Sequence, residues 1–340
     1  MERYFLGNNT AYGFFGNYED ELKTKDKVIL LKGGPGTGKS TILKRLAKQA
    51  EELGFDCELW YCSGDPKSLD GVFVKDLNAA VVDATAPHAS GADLPVIKDV
   101  IVDLANSLKS DVLTPYADEI KRLIKCKKQQ FMRVYQHLKL ALCHLQNKIA
   151  LEKDGVEEAN IRALAVGFAN SIGAQNDDKT LAKNRARKVF ATAICPVGDN
   201  EYFDHLVGKR IYKLKGSETA VQIFFDEFDG LIPYGLKILN PLEPKFFDGV
   251  IVGDFAIVKD AGLCREFETV DLAEFEHFER ADDIESEDNG VILETALAVG
   301  ELDKAREYHL ELEKYFVAAM DFEHNDRQFD KIKDELFGVR

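Results

Sequence analysis

Eight residues, Gly33-Gly34-Pro35-Gly36-Thr37-Gly38-Lys39-Ser40, match the spacing G-x-x-x-x-G-K-[ST], and Thr41 follows them. Residue types in this order suit a cradle for phosphate. Glycines let a backbone curl until successive N–H groups converge on anionic oxygens. A helix beginning at once adds the positive end of its dipole beneath the anion. Lys39 is placed to meet the β- and γ-phosphates of a nucleotide, and the Ser40 hydroxyl can ligate Mg²⁺. A plain glycine-rich turn is the competing reading, and the flanks argue against it. Lys27–Lys32 (KVILLK) predicts a short strand, while Ile42, Leu43, Leu46, Ala47, Ala50 and Leu53 recur at helical spacing before Gly54. Strand, loop and helix are the context this motif requires.

Acids that could serve such a loop lie downstream. Asn78–Asp83 (NAAVVD) is an apolar run ending in an acid 44 residues after Lys39. A buried strand there would bring Asp83 to the loop end of a sheet, where it could hold the Mg²⁺ water shell; an ordinary strand-terminal Asp is the alternative. The next residue is Ala84, not the adjacent Glu that many ATPases use as a base. Thr85 and His88 follow at the same strand end and suit either γ-phosphate contacts or turn capping. Asp65, after a strand predicted at Asp56–Tyr61 (DCELWY), is a further candidate for orienting water or an acceptor hydroxyl. No N-K-x-D guanine signature follows the loop, which favours ATP.

The elements that must position these groups belong to a chain of 340 residues, 45% hydrophobic and 30% charged, long enough for two ordinary domains. A net charge of −15 speaks against broad nucleic-acid binding. The densest basic run, KRLIKCKK at 121–128, reads as the wet face of a helix, with a phosphate-binding patch as the alternative. No apolar run approaches the roughly 18 residues of a membrane span, and MERYFLGNNT lacks a secretory pattern, so a cytoplasmic protein is expected. Six cysteines form no C-x-x-C pair and no cluster with zinc-ligand spacing, so reduced thiols and no structural metal are expected. Asp282–Asp288 (DDIESED) reads as a solvated acidic loop.

The chain repeats itself. DPKSLDGVFVKD at 65–76 aligns with EPKFFDGVIVGD at 243–254 at seven of twelve positions. RYF at 3–5 matches KVF at 188–190, and LKG at 31–33 matches LKG at 214–216, so the offsets drift from 185 through 183 to 178. Three matches in order indicate duplication. In that register the stretch SETAVQIFFDEF takes the place of the first loop and its helix. Val221, Phe224, Phe225, Phe228 and Leu231 make a helical stripe with Asp226 turned away. The competing reading makes Phe224-Phe225-Asp226-Glu227 a magnesium strand, with Glu227 as the base missing beside Asp83. The second copy has no G-K-[ST], so a single intact nucleotide site is expected.

Arg3 and Phe5, Gly33–Thr41, Cys62–Asp70 and Asp83–His88 together resemble a bacterial family of tandem P-loop ATPase-like proteins, within the P-loop NTPase superfamily. The resemblance covers most of the chain. It implies the fold and nucleotide binding but names no substrate, and the second phosphate loop usual in that family is missing here. The expected architecture is α/β: two P-loop NTPase-like units with mostly parallel sheets, duplicated and flanked by helices. Residues 1–184 form the nucleotide-binding unit, with a helical extension at about 93–175, and 185–340 the degenerate unit with C-terminal helices. Apolar spacing predicts helix over 93–110, 115–153 and 156–171; the segment 173–184 links the units. Arg185 and Arg187, just before the second unit, are candidates for a γ-phosphate contact. The expected cofactors are ATP and Mg²⁺. The expected activity is ATP hydrolysis; the alternatives are a small-molecule kinase and a nucleotide-gated switch with little turnover. An unidentified small-molecule or protein partner and a homo-oligomer stay open.

Overall fold

Short runs of Val, Ile and Leu bounded by Gly, Pro and Asp build two six-stranded sheets, and amphipathic segments build the helices around them. The computed structural model describes residues 1–88, 91, 94–175, 186–196, 201–260 and 267–338. Arg185, Cys264 and most of the 173–184 linker therefore lie outside the described residues.

The first sheet is made of β1 (Glu2–Tyr4), β4 (Lys27–Lys32), β5 (Cys57–Tyr61), β6 (Leu69–Val74), β7 (Ala79–Asp83) and β8 (Asp99–Asp103), in the order β1-β5-β6-β7-β4-β8. Only β6 runs antiparallel to its neighbours. A hairpin of β2 (Gly7–Thr10) and β3 (Gly13–Gly16) and the short α1 (Tyr18–Lys23) precede β4. After α2 (Lys39–Glu52) and the strands come α3 (Ser110–Leu113), α4 (Ala117–Glu152) and α5 (Glu158–Gln175).

The second sheet contains β9 (Arg187–Val189), β10 (Arg210–Lys215), β11 (Leu236–Leu239), β12 (Phe247–Val252), β13 (Phe255–Lys259) and β14 (Glu268–Asp271). From β9 its order is β9-β11-β12-β13-β10-β14, again with one antiparallel strand, β12. The agreement extends to register. Trp60 pairs with Gly71 and Ile238 with Gly249, and each ladder then shifts at its next residue. The helix α6 (Glu218–Leu231) follows β10 as α2 follows β4, and α7 (Ala281–Ala319) and α8 (Phe322–Phe337) end the chain.

Contacts divide the chain into two units that are not contiguous in sequence. One holds Met1–Gln136, Thr192–Tyr202 and Leu297–Arg340; the other holds His137–Ala191 and Phe203–Ala296. The boundary expected between 184 and 185 thus separates the two sheets in sequence, whereas each unit is completed by a helix from the other half of the chain. In the first unit, Phe329, Ile332 and Leu336 of α8 share one core with Ile42, Leu43 and Leu46 of α2 and with the sheet. Arg45 of α2 lies 3.7 Å from the Phe329 ring centre. In the second, α5 packs beside α6, with Phe168 edge-on to Phe224.

Two expectations from periodicity are corrected. Residues 93–110 are not a helix: Asp99–Asp103 is edge strand β8, pairing in parallel with β4. Val100, Ile101 and Val102 are β-branched, and the open edge of β4 outweighs the helical spacing. Asp282–Asp288 is not a loop but the first turns of α7, where acids meet the positive helix end favourably. Asp288 also pairs with Lys148 at 2.5 Å, and Glu287 with His144 at 2.6 Å.

Phe329 is the largest of the three side chains by which the C-terminal helix enters this core. Phe329→Ala is expected to destabilise the first unit by about 3 kcal/mol, seen as a lower urea midpoint with tryptophan fluorescence as the probe; the single tryptophan, Trp60, sits fully buried in that sheet.

Candidate functional site

Each strand of the first sheet except β6 points its carboxyl end at one edge, and the chemistry-bearing residues collect there. Gly33–Gly38 leaves β4 as a tight loop and delivers Lys39 as the first residue of α2. Gly33, Gly36 and Gly38 have φ of +150°, +70° and +85°, a region in which side chains are strained. Space adds a second constraint: a Cβ at Gly33 would lie 2.6 Å from Thr37 Oγ1. No side chain caps α2.

Lys39 is folded back onto its own loop. Its Nζ donates to the carbonyls of Gly33 and Gly34, both at 2.8 Å, and lies 3.6 Å from Asp83 Oδ2. Thr37 Oγ1 donates to Gly34 O and Thr85 Oγ1 to Gly33 O, each at 2.8 Å. Asp83, at the end of β7, accepts from the Thr85 amide at 2.8 Å. Ser40 Oγ accepts from the Leu69 amide at 3.0 Å. Lys39, Ser40, Asp83 and Thr85 are thus brought together around the loop. Pro35 and Thr41 complete the sequence of the loop and the first turn of α2.

The end of α7 and the start of α8 lie against this loop, which the sequence did not reveal. A Cβ at Gly34 would be 3.2 Å from the Phe316 ring, and one at Gly36 would be 3.0 Å from the carbonyl of Glu313. Asn325 Nδ2 donates to Thr37 O at 3.3 Å. The Glu313 carboxyl is held below the usual range, first by His309, whose Nε2 lies 3.6 Å away. The Glu313 backbone carbonyl and the Phe316 ring thus lie close against the loop. His309 Nδ1 is 3.2 Å from Lys127 Nζ. An ammonium has no lone pair to offer, so Nδ1 accepts and Nε2, 3.6 Å from Glu313, carries the ring proton.

Lys127 belongs to the basic run assigned to solvent. Its neighbours Lys121, Arg122, Lys125 and Lys128 are exposed, but Lys127 turns inward. Burial lowers its pKa; Cys62 opposes this and Lys39 reinforces it. Two lysines from distant segments therefore feel one another at this edge. Helical spacing of 121–128 alone could have separated the inward residue from the outward ones, but nothing local named its target.

Asp65 and His88 sit at the same edge with fixed partners. Asp65 Oδ2 accepts from Ser68 Oγ at 2.8 Å, and Oδ1 lies 3.3 Å from Arg306 Nε. His88 Nδ1 is 3.5 Å from Asp70 Oδ2. Arg187 is found in β9, which belongs to the second sheet.

The equivalent edge of the second unit is built differently. The stretch Phe224-Phe225-Asp226-Glu227 is helical, within α6, so the magnesium-strand reading fails. Phe224, Phe225 and Phe228 are buried, Asp226 is exposed, and Leu231, expected in the stripe, is also exposed. Glu227 pairs with Arg162 at 2.8 Å. The amides at the start of α6 are met by the chain's own oxygens: Ser217 Oγ accepts from Ala220, Glu276 Oε1 from Ser217, and Glu152 Oε2 from both the amide and hydroxyl of Thr219. The charges are also reversed. Where α2 starts with Lys39 and β7 ends with Asp83, α6 starts with Glu218 and β13 ends with Lys259, and these two are paired.

Comparison with protein-family models, with curated proteins and with solved structures finds no match. Among the described residues, no helix is long and apolar enough to cross a membrane.

Glu313 places a negative charge near this loop. Glu313→Gln, which removes that charge, is expected to raise affinity for a polyphosphate anion such as Mg·ATP several-fold, measured by titration calorimetry.

Proposed function

We propose that the first unit binds Mg·ATP at Gly33–Thr41 and that the protein hydrolyses ATP or transfers its phosphoryl group. The observation that carries this reading is the glycine loop itself. It joins a buried strand to a helix through three glycines of positive φ and holds a lysine 3.6 Å from an aspartate.

Mg·ATP, when bound, supplies the transferable phosphoryl group and the charge of the metal. The chain's residues supply the rest. Lys39, released from the Gly33 and Gly34 carbonyls, places its positive charge at the loop. Ser40 and Asp83 are the oxygen donors suited to Mg²⁺. The loop amides and the start of α2 offset negative charge without having to reorganise. Lys127 and Arg306 add positive charge from α4 and α7. With Ala84 after Asp83, and with Asp65 and His88 engaged by Arg306 and Asp70, the candidate bases read from the sequence have other partners, so turnover by the chain alone is expected to be slow.

We further infer that the two units arose by duplication. The shared strand order, the shared ladder irregularity and the sequence repeats support this. The second unit has exchanged its site for an internally neutralised helix start, and a Glu at the first helical position disfavours a triphosphate there.

A second reading, a nucleotide-gated switch, draws on the contact of Glu313, Phe316 and Val317 with the loop. Nucleotide would have to displace that segment, and binding would then be coupled to movement of the helices carrying it.

The test is Mg·ATP binding together with phosphate release. The parent is expected to bind one nucleotide per chain, and Lys39→Ala to lose at least 100-fold in affinity or turnover, roughly the scale of losing a charge-stabilising donor. Binding that survives Lys39→Ala, or two equivalents per chain, would contradict the assignment. Binding with negligible release would favour the switch.

A further inference from the structure

Cys62, Asp70 and His88 come from three different strand ends of the first sheet. Cys62 follows β5, Asp70 opens β6 and His88 follows β7. Their sulfur, oxygen and nitrogen atoms all lie within 4.8 Å of one another, in largely buried surroundings. We propose that these three side chains form a binding site for a divalent transition-metal ion of the zinc class, with a fourth coordination position open.

The donor set selects the metal. Thiolate, imidazole and carboxylate together suit Zn²⁺, Co²⁺ or Fe²⁺ and not Mg²⁺, which prefers oxygen ligands and keeps its waters. Tetrahedral bonds of about 2.0–2.3 Å place donor atoms roughly 3.3–3.8 Å apart, so a modest contraction of the cluster accommodates the ion. His88 Nδ1 and Asp70 Oδ2, at 3.5 Å, already have this separation. Nδ1 is buried and has no hydrogen-bond partner.

The surroundings are those of a ligand set. Tyr18 OH donates to Asp70 Oδ2 at 2.9 Å, fixing the carboxylate. The His88 ring is held edge-on by Phe14 and Tyr18, so both ligands are oriented from behind. The Cys62 sulfur accepts the backbone N–H of Gly64 at 3.4 Å. The equivalent turn of the second unit shows that a thiol is not needed for the turn itself. There the Asn240 amide oxygen accepts from Leu242 and Glu243 at 2.9 and 3.0 Å, while its Nδ2 donates to Asp248.

Binding converts Cys–SH and M²⁺ into a thiolate–metal bond and a proton released to solvent. Asp70 lies one step beyond the Gly71–Val82 pair of the β6–β7 ladder, beside Asp83, so the ion would be a neighbour of the glycine loop. The site stands on its own residues, whether or not nucleotide binds.

The experiment is titration of metal-stripped full-length protein with Co²⁺, without nucleotide, followed by thiolate-to-cobalt charge-transfer and visible ligand-field absorption. One equivalent per chain is expected, displaced by Zn²⁺. Cys62→Ser should abolish the charge-transfer band. His88→Gln should weaken binding at least tenfold, and Tyr18→Phe about 10- to 100-fold. Cys143→Ser, at an exposed thiol, should change nothing. Circular dichroism and the urea midpoint exclude misfolding, and because the three site variants act on different elements, at least one folded variant reads the site. Absence of the charge-transfer band in the parent, or a band that persists in Cys62→Ser and vanishes in Cys143→Ser, would overturn the proposal.

Discussion

A helix that starts at the edge of a buried sheet leaves backbone N–H groups that must be met by something. This requirement governs both halves of the chain. In the second unit, α6 satisfies it internally, with Ser217 as a cap and Glu152 and Glu276 as buried acceptors. Glu152 is almost fully buried, and burial raises its pKa. In the first unit, no side chain caps α2. Three glycines of positive φ turn the loop instead.

An internal acceptor makes the start of α6 structural, while the proposed nucleotide site lies at a helix start where no side-chain cap is seen among the described residues. Glu152 is held by both the amide and the hydroxyl of Thr219. Glu313 is held by His309, itself engaged by Lys127, and it sits on the last turns of α7. The reversal from Lys39 and Asp83 to Glu218 and Lys259 distinguishes the two helix starts by charge.

What could be read from the sequence was whatever neighbours in the chain decide. The loop, α2 and the strands ending at Tyr61 and Asp83 follow from local periodicity and glycine placement, and α6 followed from the stripe Val221, Phe224, Phe225 and Phe228. Residues 99–103 misled because a sheet edge, and not the segment itself, decides whether Val100–Val102 become strand. The acids of 282–288 misled because a charged run and a helix start look alike until the pairing of Asp288 with Lys148 is known. Lys127, Arg306, Glu313, Phe316 and Asn325 could not be placed at the loop, since they lie on α4, α7 and α8, far from it in sequence, and only the tertiary packing brings them there. Cys62, Asp70 and His88 escaped a search for ligand spacing for the same reason: the sheet brings them together, not the chain.

The central claim is that the glycine loop is a nucleotide site now covered by the segment around Glu313 and Phe316. Hydrogen–deuterium exchange with and without Mg·ATP tests both parts at once. The account predicts slower exchange across Gly33–Thr41, altered exchange across 309–325, and neither change in Lys39→Ala. Unchanged exchange at the loop under saturating Mg·ATP would contradict it.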